Sequence, residues 1–513
     1  MNETKAPFSW RESLGLIWHR QTWVMLCLGF SAGLPILLIF SSLSLWLREA
    51  GVERATVTFF SWAALGYSFK FVWAPLVDRL PLPGLTQWLG LRRSWLLLSQ
   101  VCVILAILGM AQVDPAKTEQ GLAWMAVFAV VLGFSSATQD IVIDAYRIES
   151  AHLRAQAIMA SSYIAGYRVG MIVAGAGALF LASYWGSSAG NYDYRAWQLT
   201  YWAMAAAMGV GVLTTLAMSE PPVVERVGLK QAEHGRLLLI FAVVVVAFVL
   251  AFYHLGGLAD ALSTGWKAGA LLGLAIEAVR LGLALALAFF VGRLCIALDW
   301  VPMETANVTW VAPVTDFFER YGVRTAWLLL ALIGLYRISD IVLGVISNVF
   351  YQDMGFSKPE IAAAVKTFGV AVAIAGGFLG GIVANRYGVM RSLMWGAVLS
   401  ALTNLLFVGL AQVGHEMAWL YLVVAADNLA AGLASAAFVA FLSGLTQVSF
   451  TAVQYAIFSS LMTLLPKTLG GYSGGMVNAM GYSNFFVLTA VLGLPVLLLI
   501  AWASKRLEIK DGA

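Results

Sequence analysis

Long apolar runs separated by short polar loops form the main pattern of this chain. Taking a membrane helix as about 20 apolar residues, the sequence predicts fourteen such helices in sets of six, two and six. The first set spans 22–46, 56–77, 94–112, 122–146, 157–183 and 197–218. The pair spans 237–257 and 268–297, and the last set spans 325–351, 359–384, 391–412, 417–444, 450–473 and 481–503. We therefore predict an all-α polytopic membrane protein.

Composition agrees with this pattern and excludes several classes of protein. Of the 513 residues, 61% are hydrophobic and only 11% are charged, whereas soluble domains carry about 25% charged residues. The three cysteines have no zinc-like spacing, and the chain has no P-loop, HExxH motif or nucleophile elbow. We expect no metal, no nucleotide cofactor and no nucleic-acid partner.

The basic residues predict which side of the membrane each loop occupies. With both termini inside, 19 of the 31 Lys and Arg fall on the cytoplasmic side, 6 outside and 6 within helices. This excess follows the positive-inside rule, so we predict that both termini are cytoplasmic.

The two sets of six helices resemble each other. WLREAGV at 46–52 and FYQDMGF at 350–356 end the first helix of each set, and the fourth helices carry Gln139–Asp140 and Asp427–Asn428. Repeated halves with a polar site between them are typical of alternating-access transporters. The predicted domains are bundles at 1–218 and 316–513, joined by a linker at 219–315 whose two helices form an accessory hairpin.

Acidic residues lie unusually deep in the fourth helix. Asp140 and Asp144 are four residues apart and share one helical face. A carboxylate inside the bilayer costs at least ~2.5–3.5 kcal/mol, which makes a functional role the default hypothesis. An apolar environment disfavours the charged form, so we expect proton exchange at Asp140 first and at Asp144 after it, with Asp340 and Asp427 as reserves in the second half. Two alternatives remain: Asp144 pairs with Arg147, or Asp140 and Asp144 are the acid and base of an intramembrane enzyme.

Other polar residues within the predicted helices are candidates for ligand binding. Arg168 and Arg337 lie about halfway along their helices; each either binds ligand or is neutralised, Arg168 by Asp140 and Arg337 by Asp340. Lys366 either binds ligand or snorkels to an interface, as we expect Lys70 to do. The amide side chains either bind ligand or join helices by hydrogen bonds; they are Gln139, Asn428 and Gln454.

The loop after the second helix of each half resembles the major facilitator signature, Gly-x-x-x-Asp-Arg followed by basic residues. The second copy is Gly381-Ile-Val-Ala-Asn385-Arg386, and the first has Asp78-Arg79 but lacks the glycine. This resemblance implies gating roles for Asp78, Arg79, Asn385 and Arg386, with topological anchoring as the alternative.

Several further stretches together resemble the AmpG muropeptide permease family of that superfamily. They include FKFVWAPLVDR at 69–79, SATQDIVIDA at 136–145, GYRVGM at 166–171 and DNLAAGLASAAFVAFL at 427–442. One departure is Asp427, where the family pattern leads us to expect glutamate.

The resemblance implies a monomeric, proton-driven importer of anhydromuropeptides in the bacterial inner membrane, serving peptidoglycan recycling and β-lactamase induction. It implies no cofactor beyond the proton gradient. The alternative within transporters is another large anionic solute, such as acetyl-CoA or a siderophore.

Overall fold

The computed structural model describes residues 15, 18–52, 60, 65–117, 119–150, 155–188, 191–222, 231–266, 270–470 and 473–511. These residues form two compact units. One contains 1–74, 81–224 and 321–513, which hold most of both predicted bundles. The other contains 75–80 and 225–320.

The helices of the first half follow the predicted order. They are α1 (Arg20–Glu49), α2 (in pieces Leu65–Phe69, Lys70–Val72 and Ala74–Arg79), α3 (Leu91–Ala111), α4 (Glu119–Ser150), α5 (Gln156–Tyr184) and α6 (Tyr194–Ala217). Apart from Phe60, the outer part of the predicted second helix lies outside the described residues.

The inserted pair and a further helix come next. They are α7 (Gln231–Gly265), α8 (Ala270–Ala297) and a surface helix, α9, over 303–321. Within this unit, the Arg280 guanidinium on α8 donates from Nε and Nη2 to the Phe252 carbonyl on α7, at 3.0 and 2.8 Å. The accessory role of this hairpin stays a prediction.

The second half closes the chain. It comprises α10 (Val323–Asp353), α11 (Pro359–Tyr387), α12 (Val389–Val413), α13 (Met417–Leu445), α14 (Thr451–Gly470) and α15 (Ser473–Leu507). Among the described residues, 12 helices are long and apolar enough to cross a membrane, and Val448–Leu464 is a shorter apolar helix. With the pieces of α2, these account for the fourteen predicted spans, and the all-α fold is confirmed.

Glycines let neighbouring helices touch along their backbones. A side chain at Gly29 or Gly33 on α1 would collide with the carbonyls of Tyr163 or Tyr167 on α5. Gly166 on α5 faces the Leu26 carbonyl on α1 in the same way. Small residues at these positions allow α1 and α5 to pack closely.

Candidate functional site

A buried ion cluster joins α2 to α4 near their predicted cytoplasmic ends; we call it the gate cluster (Lys70, Asp140, Asp144 and Arg147). The Asp144 carboxylate lies 3.8 Å from the Lys70 ammonium and 3.3 Å from the Arg147 guanidinium. Lys70 is 6% exposed and Arg147 is fully buried. The predicted snorkelling of Lys70 is therefore wrong, because its charge is neutralised inside the protein. The alternative that Asp144 pairs with Arg147 is the arrangement observed.

Asp140 lies one turn deeper on the same face of α4, among tyrosines. The Tyr163 hydroxyl on α5 donates to the Asp140 carboxylate at 3.3 Å. Tyr67 and Tyr167 are also within electrostatic range of Asp140, as are Lys70 and Asp144. Sequence reasoning missed these tyrosines, although Tyr163 and Tyr167 share a helical face beside the Gly166–Gly170 pair.

Arg147 reaches across the interface between the two halves. Its Nη1 donates to the Ser443 hydroxyl on α13 at 2.7 Å and to the Gln156 side-chain oxygen at 3.1 Å. Its guanidinium also lies 5.1 Å from the centre of the Tyr455 ring on α14. One arginine of α4 therefore contacts two helices of the opposite half.

Small residues bring the two halves together beside Arg147. The Ser161 hydroxyl on α5 lies 2.6 Å from the Gly377 carbonyl on α11. Ala157, Ala384 and Ala440 pack into one buried cluster. The halves are thus closed against each other at ends that the charge pattern predicts to be cytoplasmic.

A second set of charges, the central cluster, comprises Arg168 on α5, Arg337 and Asp340 on α10, and Asp427 on α13, which are within electrostatic range of one another. Arg337 occupies the break between Val323–Leu335 and Ile338–Asp353. Its Nε is 3.6 Å from the Asp340 carboxylate, and its Nη1 donates to Ser435 at 2.8 Å. The alternative that Arg337 pairs with Asp340 is therefore the geometry observed.

Arg168 joins this cluster from the first half. Its charge interacts with Arg337 and Asp427, whereas Asp140 interacts with Lys70 and Tyr163. The expected pairing of Arg168 with Asp140 is not the one observed. Arg168 is half-buried and makes no hydrogen bond or ion pair with any residue that the structure describes. The guanidinium therefore keeps its donors available beside a second arginine.

The remaining predicted binding residues have varied surroundings. The Gln139 amide donates to Ser31 at 3.0 Å, and Asn428 donates to the Val424 carbonyl at 2.9 Å. Gln454 accepts from the Gln447 backbone N–H at 2.7 Å, which caps the turn before α14. Lys366 is exposed in a π-helical turn of α11. Binding roles for these four stay predictions, and the contacts of Gln139 and Gln454 fit the structural alternative.

The signature-loop residues lie at helix ends. Asp78 is buried and Arg79 half-buried at the end of Ala74–Arg79. Asn385 and Arg386 are half-buried in the last turn of α11, and the Asn385 amide nitrogen has no hydrogen-bond partner among the described residues. Their gating role stays a prediction.

Comparisons with known proteins agree on the class of protein. The chain is 30% identical over 482 residues to "Putative transporter AmpG 4" of Rickettsia conorii, covering 94% of this chain and 96% of that protein. It is 29% identical to the anhydromuropeptide permease of Escherichia coli K12, covering 94% of this chain and 80% of the relative. A family profile described as acetyl-coenzyme A transporter 1 matches residues 21–188.

Solved structures share the fold at low sequence identity. The proton:xylose symporter XylE, a major facilitator superfamily protein, matches with a TM-score of 0.58 at 12% identity, covering 94% of each chain. The chain is thus a multi-pass membrane transporter and not an enzyme. It belongs to the AmpG transporter family, and it shares its fold with the major facilitator protein XylE.

Proposed function

We propose that this transporter imports anhydromuropeptides into the cytoplasm by proton symport and alternating access. Its setting would be the bacterial inner membrane, with both termini cytoplasmic, and it would act as a monomer in peptidoglycan recycling. The substrate is proposed because the Escherichia coli relative is named for it and is aligned over 487 residues.

The observation that carries the proposal is the unoccupied hydrogen-bonding capacity of Arg168 and Arg337. Arg168 makes no hydrogen bond or ion pair within the described part of the chain, and the Arg337 Nε makes no hydrogen bond there but lies 3.6 Å from the Asp340 carboxylate. A guanidinium in the membrane interior needs anionic or carbonyl partners, and it binds carboxylates through two parallel N–H bonds. The carboxylates of a peptide ligand would supply these partners between α5 and α10.

Tyrosines beside this cation pair suit the other part of such a ligand. The Tyr163 and Tyr167 rings lie 6.0 Å apart on the α5 turns that precede Arg168. Tyrosine offers an apolar face with a polar tip, which fits the alternating faces and hydroxyls of a sugar ring. In this proposal the tyrosines contact the disaccharide while the arginines hold the peptide.

The gate cluster links a proton site to closure of the halves. In our proposal Asp140 carries the proton, because the structure gives it one hydrogen bond and a shared cation, Lys70. Once Asp140 is neutral, Lys70 interacts with Asp144 alone and competes with Arg147 for that carboxylate. Arg147 then holds Ser443 less firmly, which favours opening on the cytoplasmic side.

Vesicle uptake tests this function directly. Right-side-out vesicles containing the protein should accumulate labelled anhydromuropeptide when the external medium is made acidic. A protonophore should abolish this accumulation. Acetyl-CoA is the second candidate, favoured by the profile match over 21–188. Uptake of acetyl-CoA without competition from anhydromuropeptide would replace the proposed substrate.

A further inference from the structure

Helix α9 presents three different surfaces along 303–321. Thr305, Thr309, Pro313 and Phe317 recur every fourth residue and are buried. Glu304, Thr315 and Glu319 are exposed on a polar edge. Between these two surfaces lies an exposed and mainly apolar stripe of Met303, Val311 and Val314, which are 53%, 48% and 42% exposed; the exposed Asn307 is the polar residue within it.

Helix α9 follows one membrane-length helix in the chain and precedes another. Five residues separate α8 from α9, and a single residue, Gly322, separates α9 from α10. Since an extended residue spans at most ~3.6 Å, the start of α9 lies within about 20 Å of the end of a membrane-crossing helix. Its end lies closer still to α10.

The apolar stripe also continues surfaces that face lipid. Leu287 and Leu294 are exposed along α8, and Leu298 and Trp300 extend that exposure to the first turn of α9. Tryptophan is enriched where protein meets the membrane–water interface, so Trp300 just before α9 marks this boundary.

We propose that α9 lies in the plane of the membrane, with Met303, Val311 and Val314 seated in the lipid headgroup–acyl boundary. Its polar edge then faces water, as in other interfacial amphipathic helices. The partner is a zwitterionic or mixed lipid surface, because the edge carries Glu304 and Glu319 and its Arg320 is paired with Asp316 at 2.9 Å. The helix would anchor the inserted hairpin to the bilayer surface.

Spin labels can test this placement without relying on transport. Cys27, Cys102 and Cys295 are free, so they are first replaced by alanine. Single labels are then introduced as Val311→Cys, Val314→Cys, Thr315→Cys and Glu319→Cys, with Leu287→Cys as a lipid-facing reference. The labelled full-length protein is reconstituted in vesicles of phosphatidylethanolamine and phosphatidylglycerol, and its relaxation by oxygen and by a water-soluble nickel chelate is measured.

The adjacent pair at 314 and 315 gives the sharpest comparison. Labels at 311 and 314 should resemble 287, with relaxation by oxygen exceeding relaxation by nickel, whereas 315 and 319 should show the reverse. Equal nickel relaxation at 314 and 315 would overturn the proposal, because α9 would then stand away from the bilayer. Protection of 311 and 314 from both reagents would also overturn it, because protein would then cover the stripe.

Discussion

The two charge clusters contain the same number of cations and acids but use them differently. In the gate cluster, Lys70 and Arg147 face Asp140 and Asp144, and Arg147 is fully buried with two hydrogen bonds outside its ion pair. In the central cluster, Arg168 and Arg337 accompany Asp340 and Asp427; the Arg337–Asp340 ion pair there is 3.6 Å, between the 3.3 and 3.8 Å of the two gate pairs, and Arg168 makes no ion pair with a described residue.

This difference separates two tasks of a transporter. Arg147 donates from Nη1 to two side chains and pairs with Asp144 through Nη2, which stabilises one arrangement of the two halves; its Nε, like that of Arg337, has no hydrogen-bond partner among the described residues. Arg168 makes no hydrogen bond or ion pair with a described residue, so its guanidinium is available to bind an anionic ligand. The gate cluster is therefore suited to closing the halves, and the central cluster to binding ligand. If the two tasks are separate, a variant in the gate cluster should change closure of the halves, and a variant in the central cluster should change ligand binding.

The largest effect is expected from Arg147→Met. Removing one partner of a buried ion pair costs about 3–5 kcal/mol, and here it also removes both contacts to the second half. We expect the cytoplasmic ends to separate and uptake to be lost. Distances between spin labels at Trp88→Cys and Tyr387→Cys, both exposed, measure the separation. Arg391→Met is the matched control, because Arg391 is exposed on the same predicted side; unchanged distances in Arg147→Met would remove Arg147 from the gate.

Arg168→Met should affect binding and leave the gate distances unchanged. Losing a hydrogen bond between charged groups costs about 1.5–3 kcal/mol, which is roughly a 10- to 100-fold loss of affinity. We expect uptake to fall below detection while the protein still inserts and folds. Arg168→Lys keeps the charge but not the planar fork and should recover part of the affinity. Near-normal uptake by Arg168→Met would exclude Arg168 from the site.

Much of the fold follows from the sequence, because membrane spans are long apolar runs. The positions of Arg168 and Arg337 within their helices were equally readable. Their partners were not: Asp427, which lies within electrostatic range of Arg168, is on a helix far away in the chain. The same limit hid the contact between Arg147 and Ser443, which are separated by 296 residues.

Lys70 illustrates a second limit of the sequence. Its position near a helix end favours snorkelling, yet Asp144 on α4 keeps it inside the protein. The rule for single helices fails here because a neighbouring helix supplies a closer partner than the interface does. The tyrosines around Asp140 were missed for a related reason, since their position depends on the glycine contacts between α1 and α5.

Asp140→Asn should uncouple transport from the proton gradient while preserving the conformational cycle that exchanges substrate. The amide imitates the protonated acid, so substrate binding and counterflow exchange should persist while accumulation against a gradient is lost. Asp144→Asn is the contrasting variant. It weakens the attachment of Arg147 and should alter the gate distances as well. Vesicle uptake with and without an imposed pH gradient is the measurement. Continued accumulation by Asp140→Asn would pass the coupling role to Asp340 or Asp427.

The smallest effect compares two serines of α13, one for each cluster. Ser443 accepts from Arg147 at 2.7 Å across the halves, and Ser435 accepts from Arg337 at 2.8 Å within the second half. Each alanine variant removes one hydrogen bond to a charged group, worth about 1.5–3 kcal/mol, so the two changes are chemically matched.

Ser443→Ala should shift the distances between labels at 88 and 387 toward the open form, because the lost bond joins the two halves. Ser435→Ala should leave those distances unchanged and alter the apparent affinity for ligand, since Arg337 would then have another donor free. If both variants moved the gate distances equally, closing and binding would not be separate tasks of the two clusters.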